Sequence, residues 1–306
     1  MESGVKKRVG VLRGGAGGHY AISLKRGGDI ISHISENLPD KYKVYDILID
    51  KDHVWHINGL PINPADLMNK VDVVWNAAHP SFSNILASLS IPNVGSSPFS
   101  NTIDGSREML REHMKKIGVE MPRHLLFPVY QRDFDGPIEL YAIKKAKEVH
   151  QKFPAPWIIR SFISDSSMGV HLAKTFDELV GAIEDGVKHQ TSILVEEFIS
   201  GKVASVHSVP NFRGQDFYIF PPISVFGSLS LPEKEKLIGL GRDLHSHMGA
   251  KYYLKSSFVL NKRGKVYLLN IDSKLDPNKD SYFSQVCESV GARTDQVIEH
   301  ILEQAL

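Results

Sequence analysis

Across 306 residues the chain carries one cysteine, Cys287, which excludes an internal disulfide and points to a reducing compartment. It also lacks an excess of charge of either sign: 36 Lys and Arg face 35 Asp and Glu, a formal net charge of +1. That balance gives no electrostatic footprint for nucleic acid or an anionic membrane as partner. Long apolar runs are missing too. The opening stretch, MESGVKKRVGVL, holds only a short apolar segment, which reads as a first strand and not as a signal peptide or membrane span. Repeats and low-complexity segments are absent. What remains is a cytoplasmic globular protein, long enough for two or three packed α/β units.

The first strand is expected at Arg8–Leu12, emptying into a glycine-rich turn, Gly14–Gly18. A helix follows to about Leu38, with Ile30, Ile31, Ile34 and Leu38 at helical spacing. Strands at Lys43–Ile49 and Val71–Trp75 complete an alternation that argues for a parallel sheet with ligand-facing loops at the strand ends. The punctuation from Ile91 to Pro98 puts a boundary near residue 100. Beyond it, a helix is expected at about Arg107–Ile117 and a strand at Trp157–Arg160, followed by the polar loop Ser161–Gly169. A capping box, Thr175 with Glu178, opens another helix. Ile193–Val195 is a strand ending at Glu196 and Glu197. A helix runs from about Ser230 to Met248, a hairpin turns on Asn261–Gly264, and Thr294–Leu306 closes as an amphipathic helix. The expected domains are 1–100, 101–192 and 193–306.

Three of these segments carry chemistry, each with a plainer alternative. The glycine-rich turn brings backbone N–H groups toward a phosphate or carboxylate, or is simply a tight strand-to-helix turn. It fails the Gly-x-Gly-x-x-Gly pattern because position 20 is Tyr, although Asp50 at the next strand's end would suit the ribose acid of a nicotinamide-dependent oxidoreductase. The loop Ser164-Asp165-Ser166-Ser167-Met168-Gly169 suits closure over a triphosphate, or is a polar surface loop. Leu194-Val195-Glu196-Glu197-Phe198-Ile199 gives apolar walls and acids for a nucleotide base, or an edge strand with solvated acids.

Their order is more specific than any one of them. The glycine turn with Ser23-Leu24, the stretch Val71–His79, Ile91-Pro92 with Gly95-Ser96, and the Ser166-Ser167-x-Gly169 loop come in sequence. Val195-Glu196-Glu197-Phe198-Ile199-x-Gly201 and Tyr267-Leu268-Leu269-Asn270-Ile271-Asp272 complete the series. This series resembles the D-alanine–D-alanine ligase family from end to end. The resemblance implies an α/β protein with an ATP-grasp fold preceded by a Rossmann-like parallel-sheet N-terminal domain. It implies ATP and Mg2+ as cofactors, a small-molecule amino-acid substrate and a homodimer. The implied reaction is phosphorylation of one amino acid's carboxylate and attack of a second amino acid's amine on the acyl phosphate.

Carried over by position as substrate-binding residues, Ser23 falls at a serine that helps hold the first substrate, His79 at the histidine of the family's Ala-x-His-Gly loop, and Ser281 at the second substrate's carboxylate. Ser166, Ser167 and Gly169 match the loop over the phosphates. Glu196, Glu197 and Phe198 match the adenine clamp. Arg107 and Arg160 stand at two phosphate-contacting lysines, and Lys255 at the arginine that stabilises the oxyanion. Asn270 and Asp272 fall at metal ligands. The departures are concentrated in the same places. Ala21 replaces the glutamate that grips the first ammonium, Val203 the glutamate that bonds the ribose, and Pro80 a glycine beside His79. Ser257 replaces an aspartate, Asn270 a glutamate and Asp272 an asparagine, which leaves the metal site short of charge. Asn211–Ser230 is short for the family's mobile lid. Two outcomes are therefore expected: a ligase with a re-tuned site, or a non-catalytic descendant that binds a nucleotide or a partner in the same cleft.

Overall fold

The structure, a computed structural model, describes residues 5–15, 20–95, 103, 105–162 and 168–306. Ser166, Ser167, most of the glycine-rich turn and the Ser96–Pro98 punctuation lie outside the described residues.

The first sheet has the order β4-β3-β2-β1-β5-β6. Strands β1 (Lys7–Gly14), β2 (Tyr42–Ile49), β5 (Val73–Asn76) and β6 (Asn93–Val94) run parallel. The hairpin β3 (Trp55–Ile57) and β4 (Leu60–Ile62), which sequence periodicity does not announce, adds an antiparallel edge. Strand β1 is apolar on both sides because both faces are covered. Val9, Val11, Val73 and Trp75 pack under helix α1 (Tyr20–Asn37) and the closing helix, while Leu12, Ile47, Ile49 and Val74 form a second core on the opposite face. Gly14 ends β1 at φ +88°, where a Cβ would stand 2.2 Å from the Ile49 carbonyl oxygen, so the turn tolerates glycine alone.

The central sheet has the order β7-β10-β8-β9 and is antiparallel throughout. It comprises β7 (His124–Phe127), β8 (Trp157–Ser161), β9 (His171–Ala173) and β10 (Ile193–Glu197). Strand β10, expected to open the C-terminal unit, pairs instead with β7 and β8. Helix α2 (Phe82–Ser88) belongs to the first unit, and α3 (Arg107–Lys116) leads into the second. Helices α4 (Ile138–Lys152) and α5 (Phe176–Lys188) cover one face of the central sheet, burying Tyr141, Val149, Leu179 and Ile183 against Trp157, Ile159 and Val195. The capping box at Thr175 forms as expected, with Thr175 Oγ1 accepting from the Glu178 N–H at 3.2 Å.

The third sheet contains β11 (Gly201–Pro210), β12 (Phe217–Ile219), β13 (Ile223–Phe226), β14 (Leu254–Asn261) and β15 (Val266–Asp272), in the order β12-β11-β14-β15 with β13 also on β11. Helix α6 (Leu231–Met248) and α3 cover its back, where Leu110, Met114, Leu237 and Leu244 meet Val206, Phe258 and Leu268. Helices α7 (Tyr282–Ser289) and α8 (Thr294–Ala305) return to the first sheet, α8 burying Val297, Ile298 and Ile301 in the core it shares with Val9 and Val11. Among the described residues no helix is long and apolar enough to cross a membrane.

Candidate active site

The uncovered face of the central sheet looks across a cleft at the uncovered face of the third. Strand alternation decides what each contributes. From the central sheet come Ile158 and Arg160 of β8 and Glu196 of β10, with His124 of β7 opposite Glu196 in register. From the third sheet come three cross-strand rows. Val203 faces Val259; Ser205 faces Ser257, which faces Asn270; His207 faces Lys255, which faces Asp272. The back-facing alternates, Ala204, Val206, Phe258 and Leu260, are core.

The cleft between the sheets has a volume of about 390 Å3, lined in part by Ile158, Arg160, Glu196, Phe198, Val203 and Asn270. Glu197 and Val259 also line it. Residues that sequence order assigned to adenine, phosphate and metal thus meet in one space.

Glu196 is the electrostatic centre. One carboxylate oxygen accepts a hydrogen bond from Arg107 Nη2, and the other accepts from Arg160 Nε at 3.3 Å. The Arg107–Glu196 pair is almost dry, with side chains 5% and 11% exposed. Arg107 also donates to the Leu269 carbonyl at 2.6 Å. Leu269 is the extra residue of a bulge: Ser257 pairs with Asn270 and Phe258 with Leu268. The bulge therefore turns a strand carbonyl toward α3. Both arginines, expected on phosphates, here bracket one carboxylate. His124 lies beside them, and burial followed by the Arg107 charge pushes its pKa down.

Glu197 points elsewhere. Arg123 donates to both its oxygens at 2.8 and 2.9 Å, and that guanidinium holds the Glu197 carboxyl below the usual range. Phe198 is partly exposed, with its N–H bonded to the Pro156 carbonyl at 3.1 Å.

At the metal strand, the Ser257 hydroxyl is 3.2 Å from that of Ser205, and Asp272 Oδ1 accepts the Lys274 N–H at 2.8 Å. Lys255 stands directly across from Asp272. One carboxylate, across from a lysine and next to a serine and an amide, is a poor donor set for a hard cation that favours several oxygen anions. The residues present do not fit magnesium.

The expected substrate residues are occupied structurally. Ser23 is buried, and its Oγ accepts the Gly14 N–H at 2.9 Å, tying α1 to the end of β1. His79 is exposed and its Nδ1 lies 2.8 Å from Ser81 Oγ. Ser281 caps α7, accepting the Ser284 N–H at 3.2 Å and donating to the Asp276 carbonyl at 3.1 Å. Gly169 is exposed two residues before β9. Asp50 spends its carboxylate within its own loop, on the Asp52 and Val54 N–H groups and on His56 Nε2 at 2.9 Å, which argues against a ribose acid there.

Sequence reasoning missed Ser205, His207 and Arg123. His207 is buried, 2.7 Å from Tyr253 Oη through Nδ1 and packed on Phe283. Burial, with Lys255 nearby, pushes its pKa down to about 3, so the imidazole is neutral. Only the V-x-S-x-H alternation of β11 hints at a polar, cleft-facing row.

A parallel-sheet unit followed by two antiparallel sheets that enclose a charged cleft defines an ATP-grasp protein with a Rossmann-like N-terminal domain. The family model described as D-ala D-ala ligase C-terminus matches residues 127–214. Over nearly its whole length the chain is similar to D-alanine–D-alanine ligases. It is 24% identical to the D-alanine--D-alanine ligase of Oceanobacillus iheyensis, over 95% of this chain and 82% of that protein. The crystal structure of the D-Ala:D-Ser ligase from Enterococcus faecalis superimposes with a TM-score of 0.77 at 15% identity, covering 99% of this chain and 100% of that one. D-alanine--D-alanine ligase from Bacillus anthracis, complexed with ATP, gives 0.72 at 17% identity, covering 98% and 96%.

Proposed function

We propose that this chain is an ATP-dependent carboxylate–amine ligase of the D-alanine–D-alanine type, forming D-alanyl-D-alanine or a related dipeptide. The observation that carries this reading is the convergence of Arg160, Glu196, Phe198 and Asn270 on one cleft between two sheets. Ile158, Val203 and Val259 supply apolar walls for a base, and Arg160 supplies a cation for phosphates. ATP phosphorylates the first substrate's carboxylate, with the bond from the γ-phosphorus to the bridging oxygen breaking and ADP leaving. The second substrate's amine attacks the acyl carbon, its proton is lost, and inorganic phosphate departs. Lys255, at the cleft face beside Asp272, is read as the cation that steadies the tetrahedral oxyanion. No step is assigned to magnesium, because the donor set does not suit it.

We also read the protein as a cytoplasmic homodimer acting on small amino acids. The proposed units are those expected at 1–100, 101–192 and 193–306, with Ile193–Glu197 moved to the central one. A second reading, a nucleotide-binding protein without ligase activity, draws support from Glu196 holding both arginines. D-Alanine-dependent ADP release, with the product identified by mass, separates the two. Dipeptide supports the ligase; nucleotide binding without any product supports the second reading.

A further inference from the structure

On the back of the third sheet, away from the cleft, two imidazoles meet where helices α3 and α6 end. His113 lies in the last turn of α3 and His247 in the last turn of α6. His113 Nδ1 stands 3.4 Å from His247 Nε2. The ring centroids are 5.6 Å apart and the planes are tilted by 55°, so the rings meet by their nitrogen edges and not face to face. Both side chains are half-buried, and they come from positions 134 residues apart in the chain.

We propose that His113 and His247 together chelate a borderline transition-metal dication of the Zn2+ class, independently of what the cleft does. The separation of the two nitrogens suits a metal. Two zinc–imidazole bonds of about 2.0–2.1 Å at the tetrahedral angle span about 3.3–3.4 Å. For a direct hydrogen bond between two ring nitrogens the same separation is long. A small tilt of each ring brings both lone pairs to a shared point. Imidazole nitrogen suits zinc, copper and nickel, whereas magnesium and calcium take oxygen ligands. Lys115 and Lys116 share the last turn of α3, so the attraction comes from the two nitrogen lone pairs and not from surrounding charge. Among the described residues no third histidine, cysteine or acid completes a metal-holding group, which leaves the remaining coordination positions to water. A metal held there fastens the end of α3 to the end of α6, and because the unfolded chain cannot hold the two rings together, binding stabilises the fold.

The test is calorimetric titration of the intact, EDTA-stripped protein with zinc ion at about pH 7.5, where a histidine of ordinary pKa is neutral. One equivalent is expected to bind and to raise the thermal midpoint. Loss of an outer-shell partner alone weakens a metal site about 10–100-fold, so His113→Gln and His247→Gln should each weaken zinc by at least about tenfold. The double variant should lose little more than either single one, since one site is broken in all three. His171→Gln removes an imidazole that is paired with Asp185 at 2.8 Å instead, and should leave zinc binding unchanged. With copper(II) as probe, the electron paramagnetic resonance spectrum should carry hyperfine structure from two imidazole nitrogens, reduced to one in either single variant. No saturable zinc binding, binding that either variant retains, or binding lost with His171 overturns the proposal. His113→Ala and His247→Ala serve where a glutamine variant does not fold.

Discussion

Removing the carboxylate of Glu196 tests the electrostatic centre directly. Glu196→Ala leaves the Arg107 guanidinium in a nearly dry site. Breaking one partner of such a buried pair costs about 3–5 kcal/mol, because the surviving charge is stranded. Arg107 keeps its bond to the Leu269 carbonyl at 2.6 Å, which puts the expected loss near the lower end, about 3 kcal/mol. The Arg160 arm is longer, at 3.2 Å, and its side chain is 30% exposed, so it adds at most about 1 kcal/mol. Arg107→Met should cost a similar amount by stranding Glu196 instead. The double variant removes both charges and fills the space with an apolar side chain, so it should cost clearly less than the sum, with a coupling of about 2–3 kcal/mol. Urea unfolding followed by far-UV circular dichroism gives the global values. Hydrogen exchange at the β10 amides localises them, which matters in a chain of several units. Single variants that lose under about 1 kcal/mol, or costs that simply add, would refute a dry, mutually dependent pair.

Three further outcomes are expected. Burial holds the pKa of His207 down at about 3 and that of His245 at about 4, whereas both would protonate near 6.5 in the unfolded chain. Below that value the unfolded state binds more protons. Stability should therefore fall as pH drops from 7 to 5.5, by up to roughly 1.4 kcal/mol per unit per histidine, and a flat urea midpoint across that window contradicts it. If Lys255 stabilises the oxyanion by charge, Lys255→Met should lower dipeptide formation by about 100-fold and Lys255→Arg by distinctly less; equal losses would rule out the role of charge. At Gly201 an added Cβ would stand 2.0 Å from the Leu260 carbonyl oxygen, so Gly201→Ala should lower stability by about 1–3 kcal/mol, measured by the shift in thermal midpoint, and an unshifted midpoint would show that the β11–β14 pairing gives way freely.

What could be read from the residues was what is written locally. The capping box at Thr175, the helix from about Ser230 to Met248 and the hairpin turn at Asn261–Gly264 all depend on neighbours a few positions apart, and they form as expected. Strand β10 was separable from the third sheet only by its partners, which come from earlier in the chain; antiparallel order is not chain order. Strand β11 hid because its core face uses Ala204 and Ser208 and its cleft face uses Ser205 and His207, so no clean polar alternation exists. The site was legible as a set of positions. Its bonding was not, since Glu196 meets Arg107 across 89 residues and Arg107 meets a carbonyl exposed by a bulge that no side-chain pattern announces.

The shared core of β1 and α8 has a consequence for how the chain is made. Val9, Val11 and Val73 belong to an early segment, yet the face they form is completed by Val297, Ile298 and Ile301. While the ribosome is still adding the intervening sheets, that apolar face has only α1 to cover it. The central sheet, by contrast, draws all its strands and both its helices from one continuous stretch, residues 124–197. Such a stretch can settle as soon as it emerges. During synthesis, then, the parallel sheet is sealed only after the central one has been made.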